Sequence, residues 1–271
     1  MIPNVLSIAG SDPSGGAGVQ ADLKTFSALG CYGMAALTAL TAQNTRGVSG
    51  VHVPPAGFVA AQIDAIFEDV EVHAVKIGML ASGEIVEMVA NRLRAHGARN
   101  IVLDPVLVAT SGDSLGAPDV VEAMTSHLFP LASVVTPNVP EAVRLSGGAA
   151  ADDLAGLAGL EALARALHAQ GTQAVLVKGG HLGGAFAEDV LFDGASVQVF
   201  KAERVATRNT HGTGCTLSSA IAAWLAHGKS LAEAVALAKD YLTGALRAAD
   251  ELQVGSGKGH GPVHHFHALW R

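Results

Sequence analysis

Charge is scarce in this chain: only 15% of its 271 residues are Asp, Glu, Lys or Arg, and the formal net charge is −7. No block of lysines or arginines offsets that balance, which argues against a nucleic-acid surface. Cysteine is scarcer still. Cys31 and Cys215 stand far apart in unlike contexts, which predicts reduced thiols and a cytoplasmic location. No apolar run reaches the roughly 18 residues that a membrane span needs. Met1-Ile2-Pro3-Asn4 carries no basic segment and leads straight into a strand, so no signal peptide is expected. What is plentiful is apolar side chain, 49% of residues, and glycine, 32 residues. Together they predict a tightly turning α/β protein with an ample core. Any phosphate site must then be local, built from backbone amides and one or two placed lysines.

The runs Val5–Ala9, Met34–Ala42, Ala74–Met79, Ile101–Val106, Ser133–Thr136 and Ala174–Val177 read as buried strands, with Met34–Ala42 expected at the centre of the sheet. Between them, apolar stripes of helical period run over Val19–Leu29, Pro54–Phe67, Glu84–His96 and through Leu154, Leu157, Leu160, Ala164 and Leu167. Asp189–Phe200 alternates like an antiparallel hairpin turning at Asp193-Gly194. Two helices follow, the second opened by a Ser230/Glu233 capping box. With no repeat and no break in composition, residues 1–271 read as a single domain. The βα alternation predicts the α/β class, a mostly parallel central sheet with helices on both faces.

The stretch Asn209-Thr-His-Gly-Thr-Gly-Cys215 runs directly into a helical pattern. Its glycines permit a turn that aims several N–H groups into one concavity at a helix start, a hole for an anion such as a phosphoryl group in transit. Cys215, at the lip of that helix, is expected to have a lowered pKa and to take a proton from an attacking alcohol. A second glycine-rich loop, Gly10 to Gly18, follows the first strand, where α/β sheets bind ligands. Strand ends present Gln43, an amide able to read a heterocycle, and Met79, which packs either on a flat ring or in the core. Asp104 is either a metal or phosphate-side group or ordinary Asp-Pro turn chemistry. Lys178 ends an apolar strand, so its burial calls for an anionic partner such as a nucleotide phosphate. Asn138 and Glu141 have capping-box spacing, which would also turn an amide and a carboxylate toward a hydrated magnesium ion. The tail carries His260, His264, His265 and His267, whose spacing leaves a zinc site or a loose tail as alternatives.

In this order and combination, from Ile8–Gly18 through Gln20–Gly30 to Gly259–His267, the motifs resemble the bacterial hydroxymethylpyrimidine/phosphomethylpyrimidine kinases of thiamine biosynthesis. The resemblance implies a ribokinase-like three-layer α/β/α sandwich, ATP, Mg2+, a homodimer, and successive phosphorylation of a hydroxymethylpyrimidine and its monophosphate. It implies that Gly10, Ala17, Asp22, Gln43, Met79 and Val106 hold the pyrimidine, and that Lys178, Asn138 and Thr213 meet ATP. It further implies magnesium at Asn138, Glu141 and Asp104, and phosphoryl stabilisation by Gly212, Thr213 and Gly214 with Cys215 as base. Thr41, where valine is usual, and Gly116, which interrupts a usual leucine pair, depart from the pattern. Pyridoxal kinases of the same branch share the Gly-Thr-Gly-Cys arrangement and are the alternative; Gln43 and Met79 favour the aminopyrimidine. A thiol-hydrolase pair of Cys215 with His211 is poorly placed across a glycine turn, and a non-catalytic binder is disfavoured by the presence of Lys178, Glu141 and Cys215 together.

Overall fold

The computed structural model describes residues 1–107, 118–148, 156–180 and 182–270. In chain order they form β1 (Asn4–Ser11), α1 (Gly18–Ala28), β2 (Tyr32–Asn44), β3 (Gly47–His52), α2 (Ala56–Phe67), β4 (Ala74–Ile77), α3 (Gly83–Ala95), β5 (Ile101–Leu103) and α4 (Pro118–Ala123). After a π turn and a 3-10 turn come β6 (Val134–Val135), α5 (Val139–Leu145), α6 (Gly156–His168), β7 (Val175–Lys178), β8 (Phe186–Phe192), β9 (Val197–Glu203), α7 (Thr213–Ala226) and α8 (Leu231–Arg247).

The strands make one sheet in the order β3-β2-β1-β4-β5-β6-β7-β8-β9. From β2 to β7 the pairings are parallel, and β3, β8 and β9 add antiparallel edges. Side chains of each strand alternate between two apolar layers. Leu6, Ile8, Val75, Ile77, Ile101, Leu103, Val175 and Val177 pack with Ile63, Val89, Leu93, Leu163 and Leu167 of α2, α3 and α6. Val5, Ala74, Val102, Val134 and Leu176 face the other way, toward Phe26 of α1, Leu217 and Ile221 of α7 and Val235 of α8. Near-continuous apolar strands are what a sheet covered on both faces requires, and the period of two deals them to the two layers.

Met34–Ala42 is not at the centre of the sheet, where it was expected. The strand runs from Tyr32 to Asn44 and lies second from the edge, because Gly47–His52 folds back on it as β3. That strand and α4 carry too short a pattern to be predicted, whereas the hairpin at Asp193 and the Ser230/Glu233 capping box form as expected. The Gly116 departure lies outside the described residues.

β1 passes to β2 on one side, and the later strands extend on the other, so the strand order reverses between β1 and β4. Ligands of open α/β sheets bind outside the carboxyl ends at such a switch point. One helix is buried almost all round there: Thr216 to Ala223 of α7 are shielded from solvent. Small side chains at Ser218, Ser219, Ala220, Ala222 and Ala223 let it lie close on the sheet, with its first turn at the strand ends.

Candidate active site

A cavity of about 640 Å³ opens over the carboxyl ends of the parallel strands. The sheet order divides its lining. Gly10, Ala17, Thr41, Gln43, Met79 and Val106 come from the β1, β2, β4 and β5 ends, and Ala187, Val205, Leu242 and Leu246 from the β8–β9 and α8 side. Between them come Asp104, Asn138, Glu141, Lys178 and the loop from Thr210 to Cys215. Of the pyrimidine-side residues expected from sequence, all but Asp22 line this cavity. Asp22 is fully buried behind the wall, where it accepts hydrogen bonds from Ser7, Lys76 and Ser219, so a direct substrate contact for it is corrected.

The two glycine-rich loops are one construction. Asp12 gathers the first: its Oδ1 accepts from the Ser14 amide and hydroxyl, its Oδ2 from the Ala17 amide, and His211 Nε2 lies 2.8 Å from Oδ2. Burial opposes ionisation of Asp12, but the bonds from His211 and Ser14 outweigh it and hold the carboxyl below its ordinary value. Backbone then packs on backbone. A Cβ on Gly212 would lie 1.9 Å from the Gly16 carbonyl oxygen, and one on Gly18 would lie 2.3 Å from the Gly10 oxygen. Gly212 is also left-handed, with φ 81°, and as N-cap of α7 it brings no side chain to satisfy the first-turn amides. The Thr213 amide donates to the Thr210 carbonyl at 3.3 Å, which leaves the amides of Gly214 and Cys215 at the positive end of the helix available to an anion. His211, considered in the sequence only as a partner of Cys215, is instead the clasp between the loops.

Lys178 and Asp104 stand beside this helix start. Lys178 Nζ lies 2.8 Å from Asp104 Oδ1, and a Cβ on Gly214 would come within 3.3 Å of the ammonium and 3.4 Å of the carboxylate. A side chain there would press on the ion pair and narrow the cavity beside it. Burial alone would lower the Lys178 pKa, yet the Asp104 and Glu141 charges raise it, so the ammonium stays charged. The anionic partner that its burial calls for is thus Asp104 of the chain itself. Asp104 Oδ1 also lies 3.3 Å from Thr136 Oγ1 and its Oδ2 3.4 Å from Ser218 Oγ, so the carboxylate lines the cavity as the counter-ion of Lys178.

Asn138 and Glu141 do form a capping box: the Glu141 amide donates to Asn138 Oδ1 and the Asn138 amide to Glu141 Oε2, each at 2.9 Å. The Glu141 carboxyl remains on the cavity wall with its pKa pushed up to about 7, first by burial and then by the nearby Asp104, against the pull of Lys178. Such a group favours either a proton or a cation. In the empty protein its folded value exceeds the ordinary 4.5, so the native state binds the proton more tightly than the unfolded chain. Its effect on stability is therefore an increasing penalty as pH rises from about 4.5 through about 7. Glu141→Gln keeps an acceptor for the cap and removes that penalty. The variant is expected to melt higher than wild type at pH 8, with the gap closing toward pH 5; equal melting at both pH values would show that Glu141 is not strained by its surroundings.

Cys215 does not have the lowered pKa expected of a helix-start thiol. Burial pushes it up to about 11, and Asp22 and Asp104 add to the rise, against Lys76 and the Gly18 amide. The helix start is present, but desolvation of the sulfur outweighs it.

The tail histidines are not a loose metal-binding segment. The His211 amide donates to the Gly261 carbonyl, the His260 amide to that of Thr45 and the His264 amide to that of Ala245, and His265 Nε2 lies 3.1 Å from Thr216 Oγ1. Burial and then Lys24 lower the His265 pKa to about 3, leaving it neutral. Among the described residues no group of three or more His, Cys, Asp or Glu has a metal-holding arrangement.

Two parts escaped sequence reasoning. The apolar wall from Ala187, Val205, Leu242 and Leu246 has no motif, and the ion pair of Lys239 with Asp189, which also accepts from the Gly179 amide, joins α8, β8 and the end of β7 in the cavity wall. The Thr41 hydroxyl donates to the Ser11 carbonyl at 2.8 Å and lies 3.2 Å from Gln43 Oε1, contacts that a valine could not make.

A family model described as phosphomethylpyrimidine kinase matches residues 12–264. The chain belongs to that family. Among its relatives, the hydroxymethylpyrimidine/phosphomethylpyrimidine kinase of Rhizobium meliloti (strain 1021) is 56% identical over 266 residues, 98% of each chain. Two solved structures share the fold. The phosphomethylpyrimidine kinase of Clostridium difficile 630 is 42% identical at a TM-score of 0.78, covering 89% of this chain and 98% of that one. The pyridoxal kinase of Staphylococcus aureus, solved with AMP-PCP and pyridoxal, is 35% identical at a TM-score of 0.88, covering 99% and 95%. The protein is a kinase of ribokinase-like α/β fold.

Proposed function

We propose that this kinase uses ATP to phosphorylate the hydroxymethyl group of 4-amino-5-hydroxymethyl-2-methylpyrimidine, and then the monophosphate so formed, in thiamine biosynthesis. The observation that carries the reading is the meeting of a ring-sized subsite, bounded by Gln43, Met79 and Val106, with the uncapped start of α7 and Lys178 in one cavity. The family membership and the names of the relatives support it.

In the first step the alcohol oxygen attacks the γ-phosphorus, the bond to the ADP oxygen breaks, and the alcohol proton passes to the thiolate of Cys215. Lys178, the Gly214 amide and the turn from Gly212 to Thr213 face the charge that moves through the transferred group. Gln43 offers a paired donor and acceptor to an aminopyrimidine edge. ATP would lie along the Lys178, Asn138 and Thr213 side, with its base toward the apolar wall.

The donor set fits magnesium in part. Glu141 is a carboxylate with raised proton affinity, and Asn138 sits beside it, so they would hold the ion through water with phosphate oxygens completing its shell. Bound there, Mg2+ would neutralise phosphate charge.

The single sheet supports one domain over residues 1–271. The exposed apolar side chains Tyr32, Leu40, Val51 and Phe58 around the β2–β3 edge and α2 support a homodimer. Two free thiols support a cytoplasmic setting, and no described helix is long and apolar enough to cross a membrane. The negative net charge supports the absence of nucleic acid.

The test is ADP release with magnesium-ATP on hydroxymethylpyrimidine, its monophosphate and pyridoxal at equal concentration. Turnover of both pyrimidines with pyridoxal much slower is expected. Preference for pyridoxal, or failure on the monophosphate, would overturn the substrate assignment while leaving the phosphoryl chemistry.

A further inference from the structure

Lys76 occupies β4 between Val75 and Ile77 and has no solvent-exposed surface, although its side chain reaches the cavity wall. Its ammonium donates to both oxygens of Asp22, at 2.9 and 2.8 Å. The same carboxylate accepts from Ser7 Oγ at 2.6 Å and Ser219 Oγ at 2.7 Å. Four hydrogen bonds from three donor groups fill the acceptor sites of Asp22, whereas an ammonium has three protons and two of them are spent here. Ser219 follows Cys215 by one helical turn, so the two side chains lie one above the other on the same face of α7. Ser219 reaches Asp22 and Asp22 reaches Lys76. This chain of contacts sets the ammonium beneath the face that carries Cys215.

A buried ion pair is seldom a source of net stability against apolar residues of the same size, so packing alone gives no reason for it in the middle of an apolar strand. We propose that Lys76 is a positioning residue for the phosphoryl-transfer reaction, its ammonium fixed by Asp22, Ser7 and Ser219 so as to hold the Cys215 thiolate. The inference rests on the proposed kinase chemistry of this site. Other charged groups face the sulfur too: Asp22 from α1, Asp104 after β5 and Lys178 at the end of β7, with Glu141 of α5 beyond Lys178, while the ring of neighbouring His211 is turned to Asp12. Among the charges, Lys76 is the strongest influence favouring the thiolate, and Asp22 and Asp104 oppose it.

The experiment measures alkylation of Cys215 by iodoacetamide against pH in the substrate-free protein, by intact mass, in a Cys31→Ser background so that one thiol is read. Lys76→Met is expected to slow alkylation at a given pH about tenfold, equivalent to one pH unit in its profile, and to lower kcat with KM little changed. Asp22→Asn keeps the ammonium and removes an opposing charge, so alkylation is expected to become faster. Loosened packing would make the thiol more reactive in both variants, so opposite signs identify charge. A folded Lys76→Met protein with the wild-type profile, or faster alkylation in it, overturns the proposal. Should Lys76→Met not fold, Lys76→Gln, whose amide still donates to Asp22 but carries no charge, is read in its place, and a wild-type profile or faster alkylation in it overturns the proposal. No substrate enters this measurement. Failure of the ADP-release assay with the alkylation result intact would count against the proposed substrates only.

Discussion

Cys215→Ala is expected to lower kcat by roughly 10²–10⁴-fold, the usual contribution of a positioned base, with KM for the alcohol almost unchanged. The sulfur lies at the first turn of α7, beside the loop that would hold the phosphoryl group, and it is the side chain assigned to the alcohol proton. Because its pKa is pushed up to about 11, only a small thiolate fraction exists near neutrality. That fraction grows about tenfold per pH unit below the pKa. Wild-type kcat for the neutral alcohol is therefore expected to climb between pH 7 and 9 as far as proton removal limits it, and the alanine variant to show a flat profile. Turnover in Cys215→Ala equal to wild type, or the same pH slope in both, would remove the thiol from the chemistry.

Gly212→Ala is expected to disrupt both the fold and the site. At φ 81° a side chain costs roughly 1–2 kcal/mol. Its Cβ would also stand 1.9 Å from the Gly16 oxygen, so the loops must part, and overpacking of that kind costs about 1–3 kcal/mol more. A fall in Tm on the order of 10 °C follows for a chain of this size. Activity should fall with it, since the Asp12–His211 clasp and the first-turn amides of α7 both depend on that contact. Gly228 provides the control: it has the same φ of 81° but nothing within 4 Å of its would-be Cβ. Gly228→Ala should show the backbone cost alone and keep its turnover. Equal Tm losses in the two variants would mean that the backbone contact between the loops carries no weight.

The members of the site were legible in the sequence where local chemistry marks them. Asn138 and Glu141 stand three apart before a helix, and Gly212 and Gly214 precede a long apolar stripe, so the cap and the turn could be read without a fold. Lys178 was visible as a charge at the end of an apolar strand, but not its pairing with Asp104, 74 residues away. Asp12 with His211, 199 residues apart, and Asp22 with Lys76, 54 apart, were likewise out of reach. Resemblance had placed Asp22 against the substrate; geometry puts it one layer behind, serving Lys76.

By itself, the sequence determined the order of the strands and helices other than β3 and α4, the glycine-rich turns and the capping boxes, because these follow from side-chain period and from backbone conformations that only neighbouring residues control. Tertiary structure decided the rest. It set which strand lies second from the edge, which acid neutralises which lysine, and the environment of the Cys215 sulfur. Each depends on segments distant in sequence, and above all on burial: the helix start favours a thiolate, and only the packed structure reveals the desolvation that outweighs it.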